Sequence, residues 1–163
     1  MAGKYAFTAE IQRSYMDGLG NPPPQIVDQT KLLEYCVRAF GMYAGKLADE
    51  YGPAPTAPTP NPKAAVLVFV KTEANWVSPM LLPPAQGPSL VSVRCGRRGT
   101  SSSVWEFELR QGDRLVGDVA ITYININAQT QRPQPTRENY NGEWLLDAGF
   151  KDHKAQGIEI ATK

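Results

Sequence analysis

Histidine is nearly absent from this 163-residue chain, which has one, His153. A Ser-His-Asp triad or a Cys-His pair would have to use that single residue. It lies near the end of the sequence in FKDHKAQG, among charged residues, and is expected to be an exposed tail histidine. Any hydrolytic chemistry is therefore expected to run on carboxylates, backbone amides and hydroxyls. Cysteine is scarce as well. Cys36 and Cys95 form no CxxC and have no histidine nearby, so no metal site is expected, and both read as reduced, half-buried thiols. Charge of one sign is also missing: 17 Lys and Arg stand against 16 Asp and Glu. No basic block exceeds Arg97-Arg98, which argues against a nucleic-acid partner. The longest apolar run, Ala64 to Val70, is too short to cross a bilayer. MAGKYAFTAEIQ has no signal-peptide core, so a cytoplasmic protein without a membrane partner is expected.

Glycine and proline, by contrast, punctuate the chain. Residues 5 to 13 alternate as a strand, with Tyr5, Phe7, Ala9 and Ile11 on one face. RSYMDGLGNPPPQ follows, and its three prolines forbid helix. Asp28 or Thr30 can cap the helix that comes next. Leu33, Cys36, Val37, Phe40, Ala44, Leu47, Ala48 and Tyr51 recur there at steps of three and four, and Gly52 is a natural stop. Gly41 and Gly45 lie inside this helix, each costing about 1 kcal/mol relative to alanine. A sheet or second helix is expected to approach the backbone closely at that face. PAPTAPTPNP, residues 53 to 62, reads as a polyproline-like internal loop.

The second half is β-structure. AAVLVFVKTEANWVS, SLVSVRCGRR and a hairpin about QGD supply four long strands. In the first hairpin arm Trp105, Phe107 and Leu109 share a face; the second arm is apolar on both sides and reads as a central strand covered twice. The tail is expected to hold a short helix from about Glu143 and a loose end. The order is thus strand, long helix, four antiparallel strands. One helix cannot cover both faces of such a sheet. An α+β arrangement follows, with the sheet curled around the helix and a partner subunit on its open edge.

This order, with three local stretches, resembles the hotdog fold, and within it the 4-hydroxybenzoyl-CoA thioesterase-like acyl-CoA thioesterases. RSYMDGLGN is similar to that family's aromatic, Asp, two residues, Gly, His pattern at a strand end. GRRGTSSSVWEFELRQGDRLVGDVAITYININ is similar to its Gly-Arg-Ser-Ser strand start, hairpin and long central strand. TQRPQPTR resembles the ending of that strand. The resemblance covers about residues 5 to 137. Two departures stand out: Asn21 replaces the family histidine, and PPPQIVDQ lengthens the connection to the helix. A hotdog domain over 1–140 and a C-terminal extension over 141–163 are expected.

The resemblance implies a homodimer or homotetramer that cleaves acyl thioesters of coenzyme A or a carrier protein. It needs no cofactor, since coenzyme A enters as part of the substrate. A carboxylate would be base or nucleophile, and an amide at the helix N-terminus would polarise the carbonyl. Asp17 is the first candidate, against an Asx-type turn; Asn21 could orient water or be another turn residue. Asp28 and Glu34 are further carboxylates, with an N-cap and a solvated surface acid as their structural alternatives. Tyr15 could donate to substrate. Arg97, Arg98, Thr100, Ser101 and Ser102 would lie near the pantetheine and nucleotide, and Arg132 could add a phosphate contact. Trp76, Trp105 and Trp144 read as core or interface. A non-catalytic acyl- or partner-binding subunit, and a lyase or cyclase on a polyketide-type thioester, are the other functions compatible with these residues.

Overall fold

The structure, a computed structural model, describes residues 4–11, 25–53, 65–82, 87–135 and 140–162. The elements run β1 (Phe7–Glu10), β2 (Gln25–Ile26), α1 (Gln29–Tyr51), β3 (Ala65–Trp76), β4 (Leu81–Leu82), β5 (Ser89–Arg98), β6 (Ser102–Gln111), β7 (Arg114–Asn127), α2 (Tyr140–Ala155) and β8 (Ala161–Thr162). One sheet has the order β1-β5-β6-β7-β3, antiparallel at every step. β8 joins it in parallel beside Arg97 and Arg98, and β2 pairs with β4 separately.

Strand alternation decides what faces inward. Val91, Val93 and Cys95, Trp105, Phe107 and Leu109, and Val119, Ile121 and Tyr123 are buried on one face, as a period of two requires. Between them Arg94 pairs with Glu106 at 3.0 Å and Arg110 with Glu108 at 2.6 Å. Register shifts at Phe69/Lys71, Cys95/Arg97 and Leu109/Arg110 bend the strands, and the sheet curls about α1. Gly117 is where β3 and β7 press closest. A Cβ there would meet the Asn75 carbonyl at 2.6 Å and the Trp76 ring at 2.7 Å.

α1 starts and stops as its sequence dictates. Asp28 is the N-cap, its Oδ1 accepting from the Lys31 amide at 2.9 Å. Gly52 ends the helix at φ 86°, a conformation that favours glycine. The buried stripe differs from the expected one. It is Leu32, Tyr35, Cys36, Ala39, Tyr43 and Leu47, whereas Val37 and Tyr51 are exposed. Cys36 and Leu47 are common to both, and Leu33, Phe40 and Ala44 pack partly buried against the core, but Tyr35 and Tyr43 bury beside the expected stripe. Gly41 and Gly45 are corrected too: beyond their own helix, no atom of the described residues lies within 4 Å of a Cβ built at either, so neither the described sheet nor α2 approaches them.

The tail is not loose. α2 is a 16-residue helix, with Leu145, Leu146 and Ala148 in the same core. α2 packs beside Trp105 at Gly149, where a built Cβ would meet the ring at an ordinary contact distance of 3.7 Å, and Trp144 Nε1 donates to the Gly52 carbonyl at 3.1 Å. His153 is fully buried rather than exposed. Its Nε2 accepts from the Cys95 amide at 2.9 Å and its Nδ1 lies 2.6 Å from the Gly149 carbonyl, which fixes the neutral Nδ1–H tautomer.

Candidate functional site

A groove of about 820 Å³ runs along the side of α1 that the sheet leaves open. That volume is in the range of small-molecule sites, roughly 300–1,000 Å³. Two helix rows border it at spacings of four: Thr30, Glu34, Arg38 and Met42 on one, Leu33, Val37 and Gly41 on the other. Phe69 and Thr72 of β3 and Ile121 of β7 make the opposite wall. Val37, Met42 and Phe69 are exposed, as are Val66 and Val70 along β3, the last strand of the described sheet.

The groove reaches the first turn of α1. The Asp28 side chain occupies the Lys31 amide and its carbonyl the Leu32 amide, at 2.9 and 3.1 Å. The amides of Gln29 and Thr30 precede them, at the positive end of the helix dipole. Glu34 stands one turn on, at the groove's lip, with Oε2 3.3 Å from Lys31 Nζ and both side chains about half exposed. Asp28 has its capping bond and Glu34 has the groove. Tyr15, Asp17 and Asn21 lie outside the described residues, as do most of the proline corner and of the 53–62 stretch.

The basic and hydroxyl candidates gather at one end of β5, β6 and β7. Arg97 is exposed, whereas Arg98 is held by Asp147 at 2.8 Å and lies over Phe150. Ser102 closes the β5–β6 turn through its carbonyl, which accepts from Gly99 at 2.8 Å. Ser101 accepts from the Asn125 amide at 2.8 Å, and Asn125 Nδ2 donates to the carbonyls of Gln134 and Pro135 at 3.1 and 3.2 Å. Buried Asn125 thus joins the serine turn to the segment carrying exposed Arg132. Thr100 sits exposed at the tip. The clamp was not anticipated, although two asparagines in the apolar run YININ were its signal.

The other flank of α1 holds a buried polar cluster that sequence reasoning missed. Tyr43 donates to Asp152 Oδ2 at 2.6 Å; Gln156 Nε2 reaches the same oxygen at 2.9 Å, and Lys46 Nζ lies 3.7 Å from Oδ1. Burial, then the Asp152 carboxylate, pushes the Tyr43 hydroxyl well above its ordinary range, so it stays a donor. Burial also pushes the Cys36 and Cys95 thiols up to about 12, which leaves both protonated and inert at neutral pH. Next to the groove the Tyr123 hydroxyl is buried without a partner among the described residues, its ring stacked on Phe40 at 5.2 Å and met edge-on by Phe69 at 4.9 Å. Among the described residues no group of three His, Cys, Asp or Glu is placed to hold a metal, and no helix is long and apolar enough to cross a membrane. Trp105 belongs to the core.

No protein-family model matches the chain, and no curated protein matches it. Solved structures do. The chain is similar to a DHNA-CoA thioesterase from Staphylococcus aureus at 14% identity and TM-score 0.62, over 96% of this chain and 95% of that one. It is similar to a thioesterase from Thermus thermophilus, solved with coenzyme A and zinc, at 16% identity and TM-score 0.59, over 96% and 98%. A 1,4-dihydroxy-2-naphthoyl-CoA thioesterase from Synechocystis matches at 13% identity and TM-score 0.53, over 79% and 86%. Identities this low carry the fold and nothing finer. With its curled antiparallel sheet around one long helix, the chain has the hotdog fold, which it shares with solved thioesterases.

Proposed function

We propose that the protein hydrolyses an acyl thioester, carried on coenzyme A or a carrier protein, in the groove along α1. In this reading it belongs with the 4-hydroxybenzoyl-CoA thioesterase-like branch of the fold and works in the cytoplasm. The carrying observation is that one groove joins a helix N-terminal turn, a carboxylate and an apolar channel: Thr30, Glu34 and the Leu33–Val37–Gly41 row border it together. The thioester carbonyl lies at the first turn of α1, where amide N–H groups and the helix dipole favour a developing oxyanion. A carboxylate, Glu34 or Asp17, takes a proton from water as its oxygen bonds to the carbonyl carbon. The C–S bond then breaks, and the thiolate leaves and is protonated. Thiolate is a good leaving group, so this chemistry needs no histidine. That fits His153, whose two ring nitrogens are both engaged inside the core.

Asn21 and Tyr15 are assigned to water and substrate, and Asp28 to holding the helix start. Arg97 and Arg132, with Thr100, Ser101 and Ser102, are assigned to the pantetheine and phosphates, while Arg98 is tied to Asp147. The coenzyme A bound to the Thermus structure supports this class of ligand. A second copy pairs along β3, whose exposed Val66, Phe69 and Val70 would otherwise leave an apolar edge in water.

The test is thiol release from a panel of acyl-CoA and acyl-carrier-protein donors, by the native protein and by Glu34→Gln and Asp17→Asn. Release is expected, falling by about 10²–10⁴-fold in the variant that removes the base, with an unchanged melting temperature. Full activity in both variants would remove carboxylate chemistry. No release from any donor would leave the non-catalytic acyl-binding subunit as the reading.

A further inference from the structure

We infer that the groove takes a linear aliphatic acyl chain of about ten carbons, laid along α1 from Leu33 to Gly41. Only the position of the thioester end rests on the thioesterase reading; the chain site stands on the groove itself.

Length is the first argument. Leu33 to Gly41 is eight residues, or about 12 Å of helix, which an extended chain of roughly ten carbons covers. Wall chemistry is the second. The inner row offers Leu33 and Val37, faced by Phe69 and Ile121, while Thr30, Glu34 and Arg38 stand one row further out. An apolar floor under a polar lip suits a methylene chain whose head group leaves at the lip. Shape is the third. The groove is a channel between the two α1 rows and the β3–β7 wall, with buried Ile121 at its base.

Gly41 is the fourth argument and the most specific. A glycine inside a helix costs about 1 kcal/mol, and this one borders the groove with, beyond its own helix, nothing of the described residues within 4 Å of a built Cβ. The missing side chain keeps the groove open at the end where the acyl tail would lie. Met42 beside it is a side chain that adapts to a flexible ligand. The Gly41 floor, not the catalytic end, would then set the longest chain accepted.

S-alkyl-coenzyme A thioethers test this, because they lack the carbonyl and cannot be hydrolysed. Calorimetric affinities would be measured for alkyl chains of four to sixteen carbons and for a hydroxybenzyl thioether. Affinity should rise about fourfold per added methylene and level off near ten carbons. Gly41→Phe, and Gly41→Leu as a smaller plug, should move the levelling point to shorter chains; melting curves report that each folds. A flat series, tightest binding of the hydroxybenzyl compound, or a levelling point unmoved in a folded Gly41 variant would overturn the inference. Thioether binding as expected with no thioester cleaved would sink the hydrolase reading and leave the chain site standing. Cleavage of thioesters with no dependence on chain length would do the reverse.

Discussion

The two flanks of α1 come from one helix and end in opposite states. Toward α2, Tyr43 and Leu47 are fully buried, and Tyr43 meets Asp152 and His153, which another part of the chain supplies. Toward β3, Val37, Gly41 and Met42 face a groove that the described residues do not fill. The first flank carries polar groups inside the core and satisfies them. The second carries apolar groups at the surface that the other described residues leave uncovered. In the proposed reading, one side of this helix holds the fold and the other a ligand.

The largest expected effect breaks the closed flank. Asp152→Ala would strip the carboxylate acceptor from the buried Tyr43 hydroxyl, and one of two partners from Gln156 Nε2 and Lys46, which keep the Ala6 carbonyl and Glu50. A loss of about 1–3 kcal/mol in denaturant unfolding is expected, since the Tyr43 hydroxyl stays buried without its acceptor. A loss below about 1 kcal/mol would mean that α2 docks through its apolar residues alone.

Acid should loosen the same flank through His153. Burial lowers its pKa below 6.5; the Gly149 hydrogen bond and Asp152 oppose that shift, and Arg94 adds to it. A histidine depressed in the folded state stabilises fully above its unfolded pKa. That stability is lost as pH falls below about 6.5 toward the folded value, because the unfolded chain takes the proton first. The mechanism is visible in the geometry: a protonated Nε2 could no longer accept from the Cys95 amide. Unfolding free energies measured between pH 7.5 and 5 should fall by up to about 1.4 kcal/mol per unit. His153→Gln should flatten that slope, and an unchanged slope would assign the acid sensitivity to other groups.

How much of this was readable in the sequence follows from the range of each interaction. The caps of α1 are local: Asp28 and Gly52 act within their own turn, and both were visible. The inward faces of β5, β6 and β7 follow from alternation, so Trp105, Phe107 and Leu109 were readable as one face. The buried stripe of α1 was not, because Tyr43 buries where a distant residue receives its hydroxyl. That residue is Asp152, 109 residues away. His153 misled for the same reason. Charged neighbours look solvated in the sequence, and helical spacing alone does not say that Asp152 and His153 turn inward while Lys151 and Lys154 turn out. At the site, Glu34 was nameable as a carboxylate near a helix start, but the groove beside it depends on where β3 lies in space.

The smallest expected effect has the opposite sign, and it sharpens the comparison most. A substitution on the closed flank removes a contact, whereas Gly41→Ala adds a methyl group where no atom of the described residues outside its helix lies within 4 Å. Alanine has the better helix propensity, so the protein should gain up to about 1 kcal/mol in unfolding free energy. If Gly41 served the fold, the change would cost stability. If it serves the groove, stability should rise while the longest alkyl thioether loses affinity, and those two numbers moving in opposite directions would separate a residue kept for ligand space from one kept for packing.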